Sequence, residues 1–348
     1  MDNTSDRSVI GMDIAKNVFQ LHVVSAETGQ IQRIKLKRAA VEDFFANTPT
    51  SLVAMEACGG AHYWGRRIKA LGHEVKLLPA RQVKPFVVRD KTDARDAHAI
   101  SVAALQGHIK PVPVKTEDQQ VCMTLHRMRE QMMKMRIMQT NALRGFLYEF
   151  GVVLPVGHRA LLEKIGPTLA EEEERLPKQI VQSVLEQMNR IHQLQQDIIR
   201  IEARLTAISK NDNAMQALQS IPGIGLLTAT AMIAKTGDFT DFKTSRQFSA
   251  WLGLTPRQTG TGGRIRQLGI SKRGDAYLRT LLMHGARAII ARRAHSAWVA
   301  SLLSRRPYSV VVAALANKLA RTAWAVLTKG ATFNPSQWAG VDEAAQVA

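Results

Sequence analysis

Cysteine is nearly missing from this chain: Cys58 and Cys122 are the only two in 348 residues. Two thiols cannot build a cysteine-rich zinc site, and no structural disulfide is expected, so the sequence points to a reducing cytoplasm. Long hydrophobic runs are missing as well. No apolar stretch approaches the roughly 20 residues of a membrane span, and Met1 to Arg7 hold no apolar signal-peptide core. A membrane partner is therefore not expected. A Gly-rich segment suited to adenosine is also lacking, which argues against an actin-like or sugar-kinase ATPase. The last scarcity is local. Between Ser220 and Gly330 only Asp238, Asp241 and Asp275 are acidic, against seventeen Lys and Arg, a net +14 out of +18 for the chain. So much positive charge in one segment favours phosphate-rich nucleic acid as the partner over a merely basic surface.

What is present describes an ordinary folded protein, 45% hydrophobic and 22% charged, long enough for two or three domains. Ser8 to Asp13 is apolar; Val18 to Val24 and Ile31 to Leu36 alternate, with a turn between them. These read as three strands. Ala39 to Ala46 reads as a short helix, Ser51 to Met55 as a buried strand, Tyr63 to Leu71 as a helix capped at Gly72, and Glu74 to Leu78 as a further strand. The order β-β-β-α-β-α-β is that of a ribonuclease-H-like mixed sheet. A helix is expected from Asp93 to Gln106 and a long one from Glu117 to Phe150. The long one bears a methionine stripe (Met123, Met128, Met132, Met135, Met138) that suits core packing, the alternative being a partner-binding face. Ile191, Leu194, Ile198, Ile201, Leu205 and Ile208 form a heptad seam, either a helical hairpin in one chain or a dimer seam.

Four acids stand out against this background. Asp13 and Glu56 each end an apolar strand, where an unpaired carboxylate costs several kcal/mol (about 3 or more) unless it is paired, hydrated or metal-bound. Asp93 and Asp96 are three apart in Lys91-Thr92-Asp93-Ala94-Arg95-Asp96-Ala97 and share a helix face. Singly, each has a bland reading: pairing with Lys16, Lys91 or Arg95, or contact with water. Together on this strand order they predict a cage of hard oxygens suited to Mg²⁺, with Mn²⁺ able to substitute, and to phosphodiester chemistry. Lys91 and Arg95 would then lie near a bound phosphate.

Two further motifs lie in the basic segment. Ser220-Ile221-Pro222-Gly223-Ile224-Gly225 before a helix Leu226 to Lys235 resembles a helix-hairpin-helix, in which Pro222, Gly223 and Gly225 bring backbone N–H groups to a DNA phosphate. The bland reading is a Pro-Gly turn between helices. After a flexible loop, Thr259 to Gly263, Ser271 lies among Arg264, Arg266, Lys272, Arg273 and Arg279. Those cations suit a serine nucleophile and the charge of a phosphoryl transition state. From the residues alone, the favoured reading of Ser271 is the bland one, the N-cap of a helix through Leu278.

The string Lys91 to Ala97, taken with Ile10-Gly11-Met12-Asp13, Ser220 to Gly225 and Gly269-Ile270-Ser271-Lys272-Arg273-Gly274, resembles the DEDD transposases of bacterial insertion sequences, relatives of the Piv-type invertases now known as bridge-RNA-guided recombinases. The resemblance spans nearly the whole chain. It implies an α/β plus α fold: a RuvC-like DEDD domain with the long helix trailing it (1–150), a coiled-coil segment (151–213), a mainly helical, serine-bearing transposase domain with a helix-hairpin-helix (214–330) and a flexible tail (331–348). It implies Asp13, Glu56, Asp93 and Asp96 as metal ligands and Ser271 as the nucleophile. The implied partners are donor and target DNA, a structured bridge RNA and further copies of the chain, dimer to tetramer, at the nucleoid. The rivals are a RuvC-like structure-specific endonuclease using water, the ATPase, and a non-enzymatic DNA binder, which leaves the four acids unexplained.

Overall fold

A computed structural model describes residues 7–87, 92–237, 239–292, 296–330 and 333. The chain forms two compact units, Met1–Glu117 and Asp118–Ala348.

In the first unit, strands β1 (Val9–Asp13), β2 (Val18–Val24), β3 (Ile31–Lys37), β4 (Leu52–Glu56) and β5 (Glu74–Leu78) form one sheet in the order β3-β2-β1-β4-β5. β1 runs antiparallel to β2 and parallel to β4; β3 extends the antiparallel side and β5 the parallel side. The strands and their order match the expected β-β-β-α-β-α-β pattern. Period-2 alternation divides the sheet's two faces. Ile10, Met12, Phe19, Leu21, Val53 and Met55 pack under helices α1 (Val41–Ala46) and α2 (Ala61–Ala70), through Val41, Phe45, Trp64 and Ile68. Val9, Leu52, Ala54 and Leu78 face the other way. There, beyond the short helix α3 (Ala80–Val83), helix α4 (Asp93–Ala104) supplies Ala99, Ile100, Ala103 and Ala104. β3 is one of the two outer strands, and Arg33, Lys35 and Lys37 on it discourage pairing with another chain.

The second unit is mostly helical. Helices α5 (Glu117–Tyr148) and α7 (Lys178–Lys210) run antiparallel, pinned by Arg129 donating to Glu202 at 2.6 Å and Arg136 to Gln195, with α6 (His158–Glu171) closing their far end. The heptad seam is spent inside the chain. Ile201 and Leu205 pack with Cys122, Met123 and Leu125, and Ile191 packs with Leu143 and Leu161. Of the two arrangements open to it, the seam takes the intrachain hairpin. The long helix groups with this unit rather than with the sheet, because its apolar side is covered by α7. The methionine stripe is only partly core: Met123 is buried and Met132 packs inward, whereas Met128, Met135 and Met138 are exposed. Their spacing carries them onto the outer side of the helix.

Helices α8 (Asn213–Gln219), α9 (Leu226–Thr236), α10 (Ser245–Trp251), α11 (Ala276–Ala291), α12 (Ala297–Leu303) and α13 (Tyr308–Lys329) share the largest core. Contrary to the sequence expectation, α13 is long and apolar enough by composition to cross a membrane. Here it is the core's spine, with Val311, Leu315, Leu319 and Ala323 fully buried. Between α10 and α11, strands β6 (Pro256–Thr261) and β7 (Arg264–Ile270) form an antiparallel hairpin. The expected flexible loop at Thr259 to Gly263 is thus ordered: its first half is strand, and Gly262 and Gly263, both at positive φ, make the tight turn.

A buried polar chain ties α5 to this core. Thr230 donates to Leu226 O at 2.7 Å, so it accepts from His126 Nε2 at 2.9 Å. His126 Nδ1 is then left to accept from the Tyr277 hydroxyl at 2.9 Å, which requires a neutral imidazole. Burial, reinforced by the Arg129 and Lys235 charges, lowers the His126 pKa to about 4. Between pH 6.5 and 4 the unfolded chain therefore binds a proton that the folded chain refuses, so stability falls as pH drops through that window. The full loss is up to about 3 kcal/mol. Urea unfolding should show this acid slope in the wild type and a shallower one in His126→Gln; equal slopes would remove His126 as its source.

Candidate metal centre and candidate serine groove

The acids gather because of one glycine. α4 lies so close to β1 that a side-chain carbon on Gly11 would sit 2.2 Å from Ala97 O and 2.6 Å from Ser101 N. Beneath this crossing, Ser101 donates to His98 O at 2.7 Å and accepts from His22 Nδ1 at 3.0 Å, a buried pin between α4 and β2. The pKa of His22 is lowered, first by burial and then by the His98 and Arg33 charges. Alternation from Val9 and Gly11 turns Asp13 to the α4 side, and alternation from Leu52 and Ala54 does the same for Glu56. Met12 pairs with Met55, so Asp13 and Glu56 follow on adjacent parallel strands, about 4.8 Å apart. Asp93 and Asp96 occupy the first turn of α4, where the helix dipole also favours acids.

Carboxylate oxygens of Asp13, Asp93 and Asp96 all lie within 4.8 Å of one another. Three negative groups so close repel unless a cation joins them, and ligand oxygens about 2.1 Å from one ion lie roughly 3–4 Å apart, within reach of small rotamer changes. The donor set is all hard oxygen and fits a divalent cation such as Mg²⁺ or Mn²⁺. Glu56 stands outside the set of three. Its charge and that of Asp13 both act on the exposed Cys58 thiol, whose pKa is raised first by desolvation and then by these two carboxylates. Arg95 is exposed on α4; Lys91 lies outside the described residues.

Gly11→Ala keeps all four acids but should displace the start of α4. A loss of about 1–3 kcal/mol in thermal stability is expected, together with a fall in metal-dependent activity. Unchanged activity at lowered stability would show that the acids tolerate a shifted helix.

Ser271 does not cap a helix. Asp275 fills that place, its carboxylate accepting from Leu278 N at 2.8 Å while pairing with Lys235. Ser271 instead follows β7 in a loop built by close backbone approach. Its N–H donates to Thr255 O at 2.8 Å, and Lys272 N donates to Gly253 O at 3.1 Å. Side-chain carbons on Gly253 and Gly274 would lie 2.0 Å from Arg273 O and 1.8 Å from Trp251 O, so only glycine fits at either. Lys272 has a φ of 55°, rare for a residue with a side chain. A backbone position of this kind is a recurring feature of functional sites. The half-buried Ser271 hydroxyl accepts one long hydrogen bond, 3.4 Å from Arg273 N.

The serine lines a groove of about 1580 Å³ whose described lining holds no acid. Arg257, Lys272, Arg287, Lys318, Arg321 and Lys329 line it, beside Trp298 and Tyr308. Burial lowers the Lys318 pKa, and its ammonium sits 4.9 Å from the Trp298 ring centre. Of the expected cations, Lys272 reaches the groove. Arg264 and Arg266 stand exposed on β7, Arg273 is exposed in the loop, and Arg279 is turned inward, donating to Leu252 O at 2.8 Å to clamp that loop. Arg287, Lys318 and Arg321 were not singled out from sequence. The available signal was two cations three apart, Lys318 and Arg321, in an otherwise apolar helix.

The Pro-Gly turn joins α8 to α9 as expected, with Ile221 and Ile224 buried and Pro222 and Gly225 exposed. Gly223 faces the core instead. At φ 83° it abuts Gly285 of α11, where a side-chain carbon on Gly285 would lie 2.0 Å from Gly223 O. The need for glycine at Gly223 therefore comes from helix packing.

Known proteins carry the same two halves. The model of the IS110-type DEDD transposase domain matches residues 10–151, and the model described as transposase IS116/IS110/IS902 family matches residues 215–301. A probable family 20 transposase of Pseudomonas aeruginosa is 44% identical over 94% of this chain and 99% of its own. The transposase for insertion sequence element IS1328 of Yersinia enterocolitica is 40% identical over 94% and 98%. That for IS1111A of Coxiella burnetii is 37% identical over 94% and 92%. With an acidic cluster in the first matched region and a basic, mainly helical second one, the chain belongs to the IS110/IS116 family of insertion-sequence transposases, enzymes that act on DNA.

Proposed function

We propose that this transposase cuts and rejoins DNA through Ser271, using a Mg²⁺ centre on Asp13, Glu56, Asp93 and Asp96 in a RuvC-like, ribonuclease-H-like sheet domain. The observation that carries the serine reading is the Ser271 loop: a serine whose backbone is held by tight contacts on the wall of a cationic groove with no acid among its described lining residues. The Ser271 oxygen forms a bond to phosphorus as the bond to one sugar oxygen breaks. The hydroxyl proton leaves to solvent, and the departing sugar oxygen gains one. Lys272, Arg257 and Arg287 line the same groove and would offset charge on the phosphoryl oxygens. Attack by a sugar hydroxyl of another strand reverses the step, restores the serine and joins the new ends. The bond energy is conserved, so no nucleotide cofactor is required.

Asp13, Asp93 and Asp96, with Glu56 beside them, would hold the divalent ion. When bound, it supplies Lewis-acid polarisation of a phosphate. Asp13 and Glu56 fix the sheet side of that site, and the first turn of α4 brings the other two acids to it. Pro222 and Gly225, with the α9 N-terminus, form the outer side of a helix-hairpin-helix turn suited to a backbone phosphate. Family resemblance supports a bridge RNA that chooses the DNA sites, assembly of two to four copies, and work at the bacterial nucleoid.

The test is covalent capture. Element-end DNA incubated with protein and Mg²⁺, then denatured, should carry a protein adduct whose digestion yields a phosphoserine peptide at Ser271. Nicked DNA with a free phosphate and no adduct would favour the endonuclease reading, in which water attacks.

A further inference from the structure

The groove beside Ser271 has two kinds of lining. Phosphate accounts for one of them, the cations Lys272, Arg257, Arg287 and Arg321. It has no use for the other. Leu268, Met283, Val310 and Ala313 line the same groove, and so do the rings of Trp298 and Tyr308. These rings are not core residues. Trp298 is 37% exposed and Tyr308 50%, whereas Val299 and Val311 anchor the same two helices, α12 and α13, in the core. Large apolar surface left open in this way calls for an explanation. Lys318 holds its ammonium 4.9 Å from the Trp298 ring centre, so ring and charge are offered together.

A short chain of contacts ties that ring to the serine. Ser271 N donates to Thr255 O at 2.8 Å. The preceding carbonyl, Leu254 O, accepts from Asn317 Nδ2 of α13 at 3.2 Å, and Lys318 is the next residue. A ligand that satisfies both linings offers an anion and a flat apolar face side by side. A nucleotide does so, with its phosphate and its base. Intact duplex does not: its base faces are stacked on one another, and only phosphate, sugar and base edges reach its surface. The base must therefore be unpaired. At about 1580 Å³ the groove exceeds the roughly 300–1,000 Å³ that hold a drug-sized molecule, so it takes a nucleotide together with its neighbours along a strand.

We infer that Trp298 stacks an unpaired DNA base beside the phosphate that Ser271 attacks, so that the serine groove accepts opened strand and refuses intact duplex. This deepens the proposed function and rests on it for the attacked phosphate. Stacking is blind to sequence, since every base has a π face. Choice of site thus stays with the guide RNA, whose pairing with one strand frees the bases of the other. Only DNA already opened then seats its strand at the serine, which ties cutting to completed pairing. Trp298 binds the substrate in this scheme and does no chemistry. Phosphate gripping alone would draw no distinction between paired and opened DNA.

The experiment is equilibrium binding of the full chain, in EDTA, to one DNA in three forms: fully paired, with a short unpaired bubble, and with the bubble nucleotides made abasic. Binding is thereby separated from chemistry. Wild type should hold the bubble about tenfold more tightly than paired DNA, whichever bases fill it, and the abasic bubble should lose that factor. Trp298→Ala should lose most of it while keeping its affinity for paired and abasic DNA, and Trp298→Phe should retain most of it. Thermal melting should stay close to wild type, since α12 meets the core through Val299 and not through the ring. Equal binding of bubble and paired DNA by wild type, an undiminished preference in Trp298→Ala, or a loss falling equally on all three forms would each overturn the inference. Stronger competition by single-stranded RNA than by single-stranded DNA of the same sequence would make the groove an RNA site instead. A missing serine adduct beside an intact bubble preference would sink the nucleophile and leave the base site standing.

Discussion

Ser271→Ala protein should bind element-end DNA normally, melt like wild type and form no covalent adduct, with strand transfer reduced by a factor on the order of a thousand or more. The stability half of this expectation separates the nucleophile reading from the capping one. A true N-cap Ser→Ala change costs about 1 kcal/mol. Here the hydroxyl receives one hydrogen bond at 3.4 Å, and the loop is held by the backbone of Ser271 and Lys272 and by Gly253 and Gly274, none of which the substitution touches. A change of less than about 0.5 kcal/mol is expected. Asp275→Ala is the contrasting variant. It removes the actual cap of α11 and strands the Lys235 ammonium, which is mostly buried, so it should lower stability by about 1–3 kcal/mol. The pair of variants, assayed by chemical unfolding and adduct formation, tells a group that reacts from one that holds the fold. An undiminished adduct in Ser271→Ala would remove the serine from the chemistry.

The sequence told different parts of this molecule with different clarity, for physical reasons. The five-stranded sheet was legible because its strands are half-buried and alternate, as at Phe19 and Leu21, or fully buried and apolar, as at Leu52 to Met55. The acids were legible because a carboxylate ending such a strand is costly without a partner. The β6–β7 hairpin was hidden because neither of its faces is buried, so no alternation marks it; its Gly-Gly turn read as flexibility. Ser271 reads as a cap from sequence because it and Asp275, four residues on, are both good capping side chains before the same helix. A helix start is set by which side chain reaches the third N–H, and two candidates in one loop cannot be ranked without the backbone. Gly11 passed as one small residue in an apolar run; only the crossing of α4 shows that its missing side chain admits Ala97 and Ser101. The groove cations Arg287, Lys318 and Arg321 come from two helices that are distant in sequence and meet only through core packing. No local pattern marks such a convergence, and the heptad seam shows the same limit, since its spacing is satisfied equally by a neighbour in the chain or by a second copy.

Asp93→Asn should abolish strand transfer, again by about a thousandfold or more, and should do so without loosening the fold. The reason lies in the balance of charges at the α4 start. Asp93 is exposed and gains about 0.3–1 kcal/mol from the helix N-terminus, but it also faces Asp13 and Asp96 within 4.8 Å. Without metal those terms oppose each other, so the variant should melt within a degree or two of wild type (about 0.5 kcal/mol). With metal the balance changes. A cation bound by the native state stabilises wild type as its concentration rises above the dissociation constant, by about 2.7 kcal/mol at a hundredfold excess, and the variant with one ligand missing should gain little. Thermal melts with Mg²⁺ or Mn²⁺, against a monovalent salt of equal ionic strength, read this directly and do not depend on activity. Glu56→Gln should keep more of the metal-induced shift than Asp93→Asn, because Glu56 stands outside the set of three; an equal loss would place it in the same coordination sphere. A metal-induced shift retained in both Asp93→Asn and Asp96→Asn would take the ion away from α4. The close approach at Gly11 would then need an explanation other than bringing the acids together.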